Sequence, residues 1–172
     1  DIRINTATPL TLDNAQAGIN CDIATATLAA NTRVELERVT LDGWNRPLYC
    51  DGGNSFLISL CEVQFSALNV SGVNSTSLNY AMVCTRTQIC HGEHNSLNGQ
   101  SKGQRGLLAT SSTSVLFRGN KLTGFGSESI VSMMKADDAS HPNPRSWIIE
   151  ANDLTSNGGS ILIESNNAYD VP

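Results

Sequence analysis

The sequence is poor in charged and aromatic residues, which make up 16% and 5% of its 172 residues. Its formal net charge is −5 and it contains no basic run, which argues against a nucleic-acid partner and against an anionic membrane surface. No apolar run approaches the roughly 18 residues of a membrane span, and no segment shows the 3.6-residue apolar period of an amphipathic helix. Glycine-rich nucleotide-binding loops and the nucleophile elbow of esterases are also missing, so we expect no cofactor.

Small polar residues are abundant instead. The chain has 17 asparagines, 19 serines, 14 threonines and 14 glycines, a composition that favours many short strands and turns. The length suits one domain over residues 1–172. Because the chain begins with Asp1 rather than methionine, we expect it to be a segment of a longer protein.

A ten-residue pattern occurs five times along the chain. The copies start 24, 32, 25 and 32 residues apart, at Val34, Ile58, Cys90, Val115 and Trp147. The first, third and eighth positions are apolar in nearly every copy, and the sixth is Val, Val, Asn, Asn and Asn. Apolar residues at alternate positions are typical of a strand with one buried face.

A second column of strands alternates with these copies. Its members start at Ile19, Leu48, Met82, Leu107, Val131 and Ile161. Units of 24 to 32 residues with two or three short strands and no helix predict the coils of an all-β parallel β-helix. We expect about six coils with two inward columns, one of Leu36, Leu60, Phe117 and Ile149, and the other of Leu41, Phe65, Leu97, Leu122 and Leu154.

The repeat resembles the single-stranded right-handed parallel β-helix of the pectate-lyase-like superfamily, over nearly the whole chain but in architecture rather than in motifs. Proteins of that superfamily stack inward asparagines at a tight turn, and Asn95, Asn120 and Asn152 look like such a ladder. An inward asparagine can satisfy backbone groups of the turn and hydrogen bond to its neighbours above and below. The alternative is that asparagine stands here because it tolerates a left-handed turn conformation.

The five cysteines are assigned to inward and outward positions by the same alignment. Cys21, Cys50 and Cys84 share one inward column, and Cys90 takes another inward position. Adjacent coils lie about 4.8 Å apart, at the short end of the Cα range for disulfides, so the column fits either a vertical disulfide or small buried hydrophobic side chains. Cys61 falls at an outward position. We therefore expect four buried cysteines and an exposed Cys61 that could pair between chains.

Two groups of polar residues could carry chemistry. The segment 90–94 offers four possible metal ligands, but only His91 and Glu93 share the outer face of a strand, so we expect no metal site. The resemblance implies a second possibility, because lyases and hydrolases on this fold use outward carboxylates and a basic residue. Glu93, Arg118 and Glu150 form an outward line that could be catalytic, although a charge-compensated surface ladder is the interpretation we favour.

These features predict a non-catalytic structural protein, namely a spike, fibre, adhesin or decoration subunit of an extracellular, cell-surface or virion assembly. The alternative is a polysaccharide lyase or hydrolase, or a glycan-binding domain of tailspike type. Both end coils of a β-helix expose strand edges, and outward Leu108, Leu116, Ile148 and Leu162 indicate a lateral contact stripe. We therefore expect neighbouring subunits, as a trimer or larger assembly, or flanking domains that cover both ends, and a surface glycan as the other candidate partner.

Overall fold

Sixteen β-strands make up most of the part of the chain that the computed structural model describes. That part comprises residues 2–5, 17–22, 32–53, 58–70, 79–103, 105–127, 129–134, 146–155, 157–159 and 161–165. In chain order the strands are β1 (Ile2–Asn5), β2 (Ala17–Asp22), β3 (Thr32–Glu37), β4 (Val39–Trp44), β5 (Arg46–Asp51), β6 (Ile58–Gln64), β7 (Ala67–Val70), β8 (Tyr80–Thr85), β9 (Ile89–Glu93), β10 (Ser96–Gly103), β11 (Arg105–Thr110), β12 (Ser114–Arg118), β13 (Lys121–Phe125), β14 (Ile130–Met134), β15 (Ser146–Glu150) and β16 (Ile161–Ser165). Within these ranges no helix is long and apolar enough to cross a bilayer.

The strands form three parallel sheets that the chain visits in a fixed order. Sheet I contains β1, β4, β7, β10 and β13; sheet II contains β2, β5, β8, β11, β14 and β16; sheet III contains β3, β6, β9, β12 and β15. Consecutive strands therefore belong to different sheets, and one passage through sheets I, II and III makes one coil. This is the all-β parallel β-helix that the repeat predicts, and the three sheets contain five, six and five strands.

Apolar side chains from all three sheets fill the interior of the coils. The largest buried side chains are at most 2% exposed and include Leu41, Leu68, Leu97, Leu122, Leu48, Met82, Leu107, Val63, Phe117 and Phe125. Strand β12 shows why the pattern works, because Val115 and Phe117 alternate with residues that face outward. Burying one such leucine contributes roughly 1.5–3 kcal/mol. The stack of leucines thus holds neighbouring coils together as well as closing each one.

The second copy of the repeat is shifted by three residues from its place in the sequence alignment. Cys61, rather than Ile58, pairs with Val34 on one side and with Cys90 on the other. The first three starts are therefore 27 and 29 residues apart, since 61 − 34 = 27 and 90 − 61 = 29. A shift by an odd number of residues moves each side chain to the opposite face of the sheet. The prediction that Cys61 is exposed is therefore wrong, and Cys61 is 0% exposed.

The same shift changes one member in each inward column. Val63 takes the place expected for Leu60, and Leu68 takes the place expected for Phe65. Leu60 is still buried at 6% exposure, but Phe65 is 53% exposed, so its predicted inward position is wrong. The other column members pack in or against the core as expected: Leu36, Phe117, Ile149, Leu41, Leu97, Leu122 and Leu154.

A ladder of side-chain amides holds the turn between sheets III and I, which we call the III–I corner. Asn120 Oδ1 accepts hydrogen bonds from the backbone N–H and from Nδ2 of Asn95, both at 3.0 Å. Asn152 Oδ1 does the same for Asn120, at 3.0 and 2.9 Å. Each Nδ2 also donates to a backbone carbonyl of the preceding coil. Ser66 occupies the equivalent position one coil earlier, where its N–H donates to Asn95 Oδ1, so the ladder ties four successive coils.

The cysteines cluster at the turn between sheets II and III, which we call the II–III corner. Cys50, Cys61, Cys84 and Cys90 are each 0% exposed. Cys84 and Cys90 form a disulfide, with Cα atoms 6.1 Å apart, that links β8 to β9 within one coil. Repeat alignment predicts only vertical cysteine pairs, because the distance across a corner depends on how the chain turns. The side chain of Cys21 lies outside the described residues.

The outward apolar residues do not form the single stripe that the sequence predicts. Leu108 and Leu162 belong to sheet II, whereas Leu116 and Ile148 pair with each other on sheet III. The two pairs therefore lie on different faces of the solenoid. Ile148 is the most exposed of the four, at 41%.

Candidate functional site

The outer face of sheet III carries two parallel rows of mostly charged residues, which we call the carboxylate face. Strand register alone fixes both rows, since paired residues of neighbouring parallel strands lie on the same side of the sheet. The first row is Glu35, Glu62, His91, Leu116 and Ile148, and the second is Glu37, Gln64, Glu93, Arg118 and Glu150. The three residues predicted from the sequence, Glu93, Arg118 and Glu150, are consecutive in the second row.

Arg118 lies between the two glutamates and contacts both. Its Nε donates to Glu150 Oε1 at 2.5 Å, and its Nη1 lies 3.8 Å from Glu93 Oε2. The Arg118 side chain is 42% exposed, so solvent weakens these ion pairs, and each is worth about 0–1 kcal/mol. The guanidinium therefore pairs with two carboxylates at the surface and offsets one of their two negative charges, which is the arrangement of a partly charge-compensated ladder.

Glu62, His91 and Glu93 bring three possible metal ligands together on the carboxylate face. One ligand atom from each lies within 4.8 Å of the others, and His91 Nδ1 is 3.4 Å from Glu62 Oε1. Imidazole and carboxylates are suitable ligands for a divalent transition metal. However, the guanidinium of Arg118 lies against Glu93 and would repel a cation at this position. The trio is therefore better described as a partly buried polar cluster than as a metal centre.

The sequence pattern predicts His91 and Glu93 on one face but does not predict Glu62 beside them. The misaligned second copy put Cys61 in line with Glu93 and hid the glutamate that lies beside His91. The signal that could have found it is Ser66, because a small polar residue aligned with Asn95 gives the observed register at once. The II–III corner disulfide is a second feature that the alignment did not predict.

The III–I corner presents an aromatic pair to solvent. The rings of Phe65 and His94 stack with centroids 5.2 Å apart and planes inclined by 12°. Both residues have a left-handed backbone, with φ of 48° and 53°, and so does Gly119 on the next coil at 63°. A Cβ atom on Gly119 would lie 2.5 Å from His94 Nδ1. Glycine therefore supplies both the turn conformation and the room for the imidazole ring.

A groove of about 510 Å³ runs beside this aromatic pair. Besides Phe65 and His94 it is lined by Arg38, Val39, Thr40, Ser66, Ala67 and Ser96. The Arg38 side chain is 66% exposed and forms an ion pair with Glu37 at 3.1 Å. An exposed aromatic ring, a guanidinium and several hydroxyl groups are the kinds of group that bind a polar ligand with an apolar face.

One carboxylate away from the carboxylate face has a perturbed pKa. Hydrogen bonds from the backbone N–H and the hydroxyl of Thr155 hold the pKa of Asp153 below its ordinary value of 3.8, and the charge of Lys121 acts in the same direction. The backbone bond from Thr155 measures 3.1 Å. Asp153 pairs with Lys121 just after the III–I corner, so its carboxylate caps the end of that turn.

Comparison with known proteins does not add a relative to this picture. No family model matches the chain, and no curated protein or solved structure matches it. What the structure itself shows is the architecture of a parallel β-solenoid.

Proposed function

We propose that this chain is a rigid, non-catalytic β-helical component of an extracellular or virion assembly, such as a spike, fibre, adhesin or decoration subunit. The observation that carries the proposal is the clamping of successive coils by Asn95, Asn120 and Asn152. Each net hydrogen bond of this kind contributes about 0.5–1.5 kcal/mol, in addition to the stacked apolar core. A solenoid braced in this way keeps its length and direction under load, which is what a structural subunit requires.

The carboxylate face supports a structural role over a catalytic one. Glu93 and Glu150 both have Arg118 as a partner, whereas a glycosidase pair needs one carboxyl group to protonate the leaving group and another to attack or to activate water. The Arg118 side chain instead forms ion pairs with both acids. A lyase or hydrolase at Glu93, Arg118 and Glu150 therefore has less support than a surface ladder.

The proposed location outside the cell rests on the II–III corner. Cys84 and Cys90 are joined within one coil, and such disulfides form and persist mainly in secreted proteins and on cell or virion surfaces. This compartment is also where spikes, fibres and adhesins function.

Neighbouring subunits are the proposed partners, as a trimer or a larger assembly. Ile148 on strand β15 is 41% exposed, and Leu116 lies beside it in the same outward row. Adjacent outward apolar side chains favour a protein–protein contact. Sedimentation velocity tests this: the wild type should sediment as an oligomer, and Ile148→Lys should shift it towards monomer. A wild type that stays monomeric at every concentration contradicts the proposed assembly.

Carbohydrate binding without turnover is a second candidate function, and the groove at the III–I corner favours it. Phe65 is 53% exposed, although a fully inward position was expected for it, and its ring is held flat against His94. The apolar face of a sugar ring can stack on such a surface while its hydroxyl groups bond to Arg38 or Ser96, which line the same groove.

One experiment separates the structural, binding and catalytic functions. The protein is applied to a glycan array and incubated with acidic polysaccharides, while reducing ends and the absorbance of unsaturated uronates are followed. The structural proposal expects neither retention nor product. Retention that Phe65→Ala abolishes and Glu35→Gln leaves unchanged would establish the binding function. If the protein releases product and Arg118→Met abolishes that release, an enzymatic function would replace both the structural and the binding functions.

A further inference from the structure

Cys50 and Cys61 meet across the II–III corner inside the core. Their Sγ atoms lie 2.6 Å apart, closer than sulfur atoms pack without a bond and roughly 0.5 Å beyond the covalent length of about 2.05 Å. Both side chains are 0% exposed. Cys50 is in β5 and Cys61 in β6, so the contact spans a single coil from sheet II to sheet III.

This contact lies directly beside the Cys84–Cys90 disulfide of the next coil. In sheet II Cys50 pairs in register with Cys84, and in sheet III Cys61 pairs with Cys90. The two pairs therefore occupy the same corner in successive coils. The strand register that sets Cys50 beside Cys84 and Cys61 beside Cys90 therefore repeats the arrangement of the sulfur atoms one coil earlier, although 11 residues rather than 6 separate the two cysteines along the chain.

We propose that Cys50 and Cys61 form a second disulfide, stacked on the Cys84–Cys90 disulfide to make a two-step covalent ladder in the core. Formation removes one proton and one electron from each thiol and joins the two sulfur atoms. A small-molecule disulfide such as oxidised glutathione can accept them by two exchange steps, in which one protein thiolate attacks the reagent and the second then displaces it, releasing two glutathione thiols. This inference concerns the covalent structure and does not depend on the proposed structural or binding function.

Burial determines when the bond can form and break. Neither sulfur is accessible in the folded chain, so exchange with a solvent thiol or disulfide requires the corner to open. The bond should therefore form while the coil closes during folding and resist reductant afterwards. It ties the coil that contributes Ser66 to the ladder at the III–I corner.

Peptide mapping of the oxidised protein tests the proposal. The chain is refolded with a glutathione redox pair, denatured without reductant, alkylated and digested with trypsin and chymotrypsin. Chymotrypsin cuts after Phe56, between Cys50 and Cys61, and trypsin cuts after Arg86, between Cys84 and Cys90. The expected result is a linked peptide pair containing Cys50 and Cys61. Alkylated Cys50 and Cys61, or Cys50 linked to Cys21, would overturn the proposal.

A double variant provides an independent readout. Cys50→Ala together with Cys61→Val copies Ala109 and Val115, which occupy the same register two coils further along. After unfolding and refolding in dithiothreitol, so that the buried sulfurs are reduced, the melting temperature of the wild type should fall by more than that of this variant, because the wild type has one more bond to lose. An equal drop in both proteins would contradict the second disulfide. Cys21→Ala is the matched control and should leave the wild-type drop unchanged.

Discussion

Replacing Asn120 with alanine is the most informative single change in the III–I corner. The Asn120 side chain is in the middle of the amide ladder and its residue is only 1% exposed. It accepts two hydrogen bonds from Asn95 and donates to Gly92 O at 2.7 Å and to Asn152 Oδ1 at 2.9 Å. Alanine removes all four bonds and leaves the backbone N–H of Asn95 without this acceptor.

The expected loss follows from the number of bonds. At roughly 0.5–1.5 kcal/mol for each net hydrogen bond, four bonds correspond to about 2–6 kcal/mol. Whole domains are stable by only about 5–15 kcal/mol, so Asn120→Ala should remove a large part of the total. Asn120→Ser should lose less, because Ser66 in the same ladder accepts a bond from Val39 N–H at 3.2 Å with its hydroxyl.

Urea unfolding followed by far-UV circular dichroism measures these losses, and hydrogen exchange locates them. The amide of Asn95 should exchange much faster in Asn120→Ala than in the wild type. Asn98→Ala is the matched control, since Asn98 makes an exposed bond to Gln100 N–H, and it should cost less than about 1 kcal/mol. The reasoning is refuted if Asn120→Ala costs no more than Asn98→Ala or leaves the exchange of Asn95 unchanged.

Three further predictions test the register, the corner and the pH dependence. In urea melts, Leu68→Ala should cost about 2–5 kcal/mol of unfolding free energy and Phe65→Ala less than about 1 kcal/mol. The reverse order would favour the alignment that starts the second copy at Ile58 and places Phe65 in the core. Gly119→Ala should lower the free energy of unfolding by at least about 1 kcal/mol, because φ is 63° and the new Cβ meets His94. Ala151→Gly, at φ 54°, should raise it by up to about 1 kcal/mol. Equal effects of the two substitutions would refute the corner geometry. Because the pKa of Asp153 is lowered in the folded state, its carboxylate stabilises the fold above the ordinary pKa of 3.8, and this stabilisation is lost as the pH falls through the folded pKa. Asp153→Asn should therefore reduce the difference between the urea midpoints at pH 7 and pH 3. An unchanged difference would count against this.

The sequence predicts the sheets of this fold better than their alignment. The column from Ile19 through Leu48, Met82 and Leu107 is in the observed register, because its spacing is fixed by matching apolar and cysteine positions. The second copy of the ten-residue repeat is misaligned for a physical reason. Ile58 and Leu60 are apolar at alternate positions and satisfy the strand pattern as well as Cys61 and Val63 do, so alternation with period two cannot distinguish them.

The candidate sites are predicted correctly where the strand register is correct and wrongly where it is not. Arg118 lies between Glu93 and Glu150 as predicted from register, since no insertion separates those copies within the strands. The groove at the III–I corner could not be predicted once Phe65 was assigned to the core. The disulfide at the II–III corner depends on the path of the turn, which strand periodicity does not encode.

The most direct test of the account is the pattern of methyl contacts in sheet I. With leucine methyl groups labelled, nuclear Overhauser effects should connect Leu68 to Leu41 on one side and to Leu97 on the other, and Leu97 to Leu122 beyond it, because these residues pair in register on successive coils. A chain of contacts in that order establishes the parallel β-solenoid and its corrected register together. Contacts from the Phe65 ring to Leu41 and Leu97, with none from Leu68, would contradict it.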